Sequence, residues 1–129
     1  MAFSNYMEDQ ITGWINGTTF ATAPTATFVQ LYSQDPTDAG SATGALYARI
    51  SVAAGGWTRG TGGAGTLTNT AAITITSSAA SGATATHVAV FDTITGGNML
   101  FAGSLAASKT IATGDEVKFN ASALALTGA

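Results

Sequence analysis

The chain has 129 residues, no cysteine, 9% charged residues and a net charge of -3, and these figures exclude several functions at once. No thiolate is available as nucleophile, zinc ligand or disulfide partner, and Arg49, Arg59, Lys109 and Lys118 give no basic patch, so neither nucleic acid nor an anionic membrane is an expected partner. The length fits a single domain over residues 1–129, but much of the 46% hydrophobic content is Ala, so the core must come from scattered Val, Ile, Leu, Phe and Trp.

The opening MAFSNYMEDQ lacks a positive region followed by a continuous apolar stretch, so no secretory signal is expected, and nothing downstream approaches the roughly 18 apolar residues of a membrane span. Phe3, Met7, Ile11, Trp14 and Ile15 recur at helical spacing with Glu8, Asp9 and Thr12 opposite, which predicts one amphipathic helix over about residues 3–15. Ser4 or Asn5 can cap its start, Glu8 and Asp9 suit the positive end of the helix dipole, and Asn16-Gly17 supplies a left-handed stop. The apolar stripe can lie on the domain's own core or on a neighbour; the first is the simpler expectation.

From about residue 27 the period changes to 2. TATFVQLY sets Val29 and Leu31 against Phe28 and Tyr32, LYARISVAA sets Leu46, Ala48, Ile50 and Val52 against Tyr47, Arg49 and Ser51, and AAITIT sets Ile73 and Ile75 against Thr74 and Thr76. Further short strands are predicted in THVAVF, NMLFAG, SKTIA, EVKF and ALAL. No second helical segment is available for crossovers, so the pattern indicates an all-β sandwich or barrel rather than a parallel sheet. SQDPTDAGSATG, residues 33–44, reads as a long surface connection, and AAGGWTRGTGGAGT, residues 53–66, as a glycine-rich loop around Trp57.

Few residues suit catalysis. Gly60, Gly62 and Gly65 form a literal G-x-G-x-x-G, but the strand-like TLTNTAAITIT follows where a dinucleotide site needs a helix. His87 is the one imidazole and its strand position faces away from Val88 and Val90, which fits a hydrogen-bonded structural histidine. Asp92 ends that strand before TITGGN and suits bonding to turn amides, so residues 87–103 read as a β-hairpin. The acid doublets Glu8-Asp9 and Asp115-Glu116 diverge on any helix or strand, whereas a two-carboxylate hydrolase needs its pair facing one cleft. Asp35, Asp38 and Asp92 lack the spacing of a calcium loop, so no metal site is expected. Trp57 beside Arg59 either stacks on a sugar or a neighbouring chain, or simply covers one end of the core.

Taken in order, SNYMEDQITGWING, FVQLYSQDPTDAG, YARISV, HVAVFDTITGGNMLFAGSL and KTIATGDEVKFNASAL resemble a family of small tailed-phage virion proteins, whose members are described as tail-fibre or head-fibre proteins and as capsid decoration, or cement, proteins. Tyr47-Ala48-Arg49, the run from His87 through Phe101, and Gly114-Asp115 before Phe119 are its most specific parts. The resemblance implies a jelly-roll-like antiparallel β-sandwich with one short N-terminal helix, assembled as a homotrimer, with no enzymatic activity and no cofactor. It implies a place on the virion; the leading reading puts the chain on the outer surface of the phage head, after synthesis in the host cytoplasm, with the major capsid protein and other copies of the chain as partners. Capsid decoration is the leading expectation. The alternative is a tail-fibre or tail-tip protein that binds host glycan on Tyr32, Tyr47 and Trp57. The candidate contact residues are Phe3, Tyr6, Trp14, Trp57 and Arg59.

Overall fold

A computed structural model of the chain describes residues 2–62, 65–76, 83–112 and 114–127. Ala2–Phe3 forms β1 and Asn5–Ile15 forms helix α1; the strands that follow are β2 Ala26–Tyr32, β3 Ala45–Ala53, β4 Trp57–Arg59, β5 Thr66–Asn69, β6 Ile73–Thr76, β7 Ala83–Phe91, β8 Met99–Ile111, β9 Glu116–Phe119 and β10 Ala125–Thr127. They assemble into a five-stranded sheet in the order β1-β8-β7-β2-β3, a three-stranded sheet β10-β5-β4 and a two-stranded sheet β6-β9. Every pairing is antiparallel. The fold is all-β and sandwich-like, with one short helix.

The period-2 pattern works as expected on the inner face of the large sheet. Val29, Leu31, Val52, Val88, Val90 and Phe101 meet Ile73, Ile75, Val117 and Leu126 from the smaller sheets and Leu124 just ahead of β10, and all are buried. Trp57 closes one side of this core, edge-on to Phe101 at 5.9 Å between ring centroids, and its indole Nε1 donates to Thr27 Oγ1 at 2.9 Å. Burying an aromatic ring contributes about 1.5–3 kcal/mol.

The outer face is not simply wetted. Tyr32, Ala89, Phe91 and Met99 form a second buried cluster, with Phe28 and Ala102 against it. A one-residue irregularity at Leu100, where Val90 pairs with Phe101 and Phe91 with Met99, lets Met99 and Phe101 face opposite sides although they are two residues apart. Residues 33–44 run over the surface as expected, most of them exposed, but they also touch this cluster: Pro36 is buried and Gly40 sits so close that a β-carbon there would lie 3.1 Å from Met99 Cβ.

Two further expectations, on Phe3 and on the strands after residue 98, are corrected. Phe3 lies outside the helix, in β1 opposite Phe101, because Ser4 is extended and takes the capping position. NMLFAG and SKTIA belong to one strand, β8, which bulges at residues 105–108 against Thr86 of β7; Gly103, Ser104 and the two Ala residues interrupt the apolar pattern without breaking the pairing. The glycine-rich loop contains β4, which pairs with β5 as a hairpin, and Gly60, Gly62 and Gly65 lie between the two strands and open no helix, as the strand-like sequence after them indicated.

Candidate interaction surface

Helix α1 is fixed at its root. The Ser4 hydroxyl accepts from the Met7 amide at 3.2 Å and donates to the Met99 carbonyl, while the Ser4 amide bonds to the Leu100 carbonyl and that of Asn5 to the Asp38 carbonyl. Beyond the root the helix buries no residue. The expected apolar stripe therefore does not rest on the core: Met7 and Ile11 are half-buried, and the helix ends in Trp14 and Ile15, 63% and 74% exposed.

Residues 16–25 then double back along the helix as a strap without regular structure. The Thr18 amide bonds to the Gly13 carbonyl and the Ala21 amide to Gln10 Oε1 at 2.8 Å, which brings Phe20 and Pro24 back beside Tyr6 and Met7. All ten strap residues except their bonded backbone groups face solvent. Between helix, strap and the end of β7 lies a groove of about 380 Å³, lined by Tyr6, Phe20, Pro24, Asp92, Thr93 and Leu100 among others. Ile94, next to its wall, is 60% exposed. Among the described residues, the four exposed large hydrophobic side chains, Trp14, Ile15, Phe20 and Ile94, thus belong to the helix, its strap and the adjoining turn.

That turn, residues 92–98, is held from two sides. Asp92 accepts from the Asn98 amide at 2.8 Å and from its side-chain nitrogen at 2.9 Å. Gly97 has φ 68°, and a β-carbon there would collide with Asp92 and Thr93. From β3, Arg49 lays its guanidinium 3.6 Å over the Phe91 ring and donates through Nη1 to the carbonyls of Thr93 at 2.7 Å and Gly96 at 2.9 Å. Burial lowers its pKa from the usual value, an effect partly offset by Tyr32 and Asp92.

Arg49 reaches this position because β3 bulges. Three residues, 47–49, oppose Gln30 alone, and Tyr47 takes φ 62°, a left-handed conformation that costs a non-glycine residue about 1–2 kcal/mol. Buried Gln30 satisfies the bulge: its Nε2 donates to the carbonyls of Leu46 at 2.6 Å and Tyr47 at 2.9 Å, and its Oε1 accepts from Arg49 Nε at 3.3 Å. Two of the segments most specific to the family resemblance, Tyr47-Ala48-Arg49 and His87 through Phe101, are therefore in direct contact.

The five candidate contact residues fall in two places. Tyr6 lines the groove and Trp14 stands at the helix tip; half-buried Phe3 sits at the root. Trp57 is half-buried against Phe101, and Arg59 is exposed on the β4–β5 hairpin. Ile15, Phe20 and Ile94 were not anticipated as exposed; the one available signal was that residues 16–25 carry neither a helical nor an alternating pattern. Tyr32 is 1% exposed, which closes it to any sugar. His87 Nδ1 lies 2.8 Å from Thr86 Oγ1, and Asp92 bonds Asn98 as described, so both are engaged in strand and turn structure.

No helix is long and apolar enough to cross a membrane among the described residues. No curated protein matches the chain. A family model described as podophage GP4 fiber I protein gp80 matches residues 2–127, nearly the full length, and the chain therefore belongs to this family of tailed-phage virion fibre proteins.

Proposed function

We propose that the protein is a decoration component of the phage head, binding the outer surface of the major capsid lattice and clamping neighbouring capsid subunits. One observation carries this reading: four large apolar side chains stand exposed on helix, strap and turn of a chain with 9% charged residues. Interface cores are depleted of charge, whereas a freely dispersed domain relies on about 25–35% charged residues at its surface. Binding then stabilises the shell by mass action, at about 2.7 kcal/mol per site when the free protein stands at a hundred times its dissociation constant. The role is structural rather than enzymatic, a reading supported by the family and by the structural engagement of His87 and Asp92.

A fibre role is the second reading, and the family description itself favours it. Imaging of labelled virions with a count of copies per particle separates the two. Many copies spaced with the capsid lattice are expected; a few copies confined to the tail would replace decoration by the fibre role.

A further inference from the structure

A second groove lies at the opposite end of β8 from the helix root. Its volume is about 390 Å³, and no residue of α1 or the strap lines it. Val117 and Leu124, both buried, form its floor; half-buried Leu105 and Phe119 form its walls; Lys109 and Lys118 stand exposed at its rim. The groove lies where β8 bulges at residues 105–108, as a recess between β8 and the β9–β10 region lined mostly by apolar side chains. Lys109 and Lys118 are two of the four Lys and Arg residues in the chain, and among the described residues no acid lines the groove.

The helix end has the complementary character. Trp14 and Ile15 project at its tip, Glu8 and Asp9 are exposed along its length, Asp38 stands at its root and Asp92 in the adjoining wall. The root is at Met99 and Leu100, whereas the groove is at the far half of the same strand, on the order of 13–20 Å away at strand rise. An apolar tip with acids behind it, and an apolar recess rimmed by lysines, thus occur once each on every copy and at separate places.

We infer that the tip of α1, Trp14 with Ile15, seats in the groove between β8 and β9–β10 of a second copy of this chain, with Glu8 and Asp9 facing Lys109 and Lys118. The contact joins two different surfaces, so it is head-to-tail: copies close into a ring where the rotation allows and extend as a chain where it does not. Apolar burial supplies the affinity, while the charges fix which way the helix lies. The inference is independent of whether head or tail carries the protein.

Because the chain has no cysteine, the contact can be tested by pairwise cross-linking. Purified Ile15→Cys and Ala106→Cys chains are mixed and oxidised; both positions are exposed, and circular dichroism confirms the fold of each. Disulfide dimers containing one chain of each kind are expected to dominate over same-variant dimers. A predominance of Ile15→Cys self-dimers, or no cross-link in the mixture, overturns the proposal. Sedimentation gives the second readout: Trp14→Ala is expected to raise the dissociation constant of the assembly about thirtyfold, as for loss of a buried aromatic anchor. Unchanged association would remove Trp14 from the interface and the inference with it. If cross-links form as expected while virions show the protein confined to the tail, the contact stands and the decoration reading falls.

Discussion

Asn69 does more for the fold than its place in the plain run TLTNTAA suggests. It is fully buried; its Nδ2 donates to the carbonyls of Ala71 and Asn120, both at 2.9 Å, its Oδ1 accepts from the Leu124 amide at 2.9 Å, and its backbone bonds to Leu124 and Ser122. One side chain thus holds the segment that leads into β10 against β5. Asn69→Leu keeps the branching at Cγ but leaves the Ala71 carbonyl and the Leu124 amide without this partner, while the Asn120 carbonyl still accepts from the Ala123 amide; an unsatisfied buried group costs about 1–3 kcal/mol. The expected loss is on the order of 3 kcal/mol in denaturant unfolding; a loss under about 1 kcal/mol would show that water or neighbours replace the bonds. Tyr32 gives a pH signature. Burial raises its phenol pKa above the usual 10.0, with Arg49 partly opposing. The folded state therefore keeps this proton where the unfolded chain releases it, so its contribution to stability is full below pH 10 and is lost as pH rises through the higher folded value. The fall in stability above pH 10 should be shallower in Tyr32→Phe, measured by unfolding across that range against the parent; equal slopes would assign the fall to other groups.

Among the elements, α1 is the one attached by its end rather than its face. Ser4→Ala removes the N-cap and orphans the Met99 carbonyl, a loss of about 1–2 kcal/mol. Because the helix buries no residue, that loss should be local: α1 amides exchange faster while those of β2 and β7 keep their protection, as for a low-stability unit. Parallel loss of protection in β2 and β7 would make the helix part of the cooperative core. The helix itself was legible by spacing, apart from Phe3, which lies in β1 ahead of it, and most strands by alternation, since both periods follow directly from backbone geometry. Where the helix would rest was not legible, because an amphipathic stripe reads the same whether it meets its own core or solvent. Register irregularities were equally hidden. The bulge at residues 47–49 brings Arg49 onto Phe91, and the shift at Leu100 turns Met99 outward, yet each depends on pairing with a distant strand that local sequence does not specify. The candidate surface was legible in Tyr6 and Trp14 as residue types, while Phe20 and Ile94 depended on the strap folding back and on the turn being held open by Arg49 and Gly97.

At the scale of the whole molecule, the scarcity of charge decides how the protein meets its partners. A rim pair such as Glu8 with Lys118 is worth about 0.2–1 kcal/mol, and less as salt rises, since the Debye length shrinks from about 10 Å at 0.1 M to about 3 Å at 1 M. Apolar contact contributes about 25 cal/mol per Å² buried and is not screened. Trp14, Ile15, Phe20 and Ile94 therefore outweigh the ionic groups in any interface that covers them. Association between copies, and with the particle, should accordingly change by less than about fivefold between about 0.1 and about 1 M sodium chloride. Sulfate should tighten it, because excluded salts strengthen apolar burial. Sedimentation of the purified protein over a salt series measures the first interaction, and co-sedimentation with virion heads the second. A loss of about a hundredfold or more over that range, with no gain in sulfate, would mean that Arg59, Lys109, Lys118 and the acids govern binding, and that the exposed apolar side chains serve some other purpose.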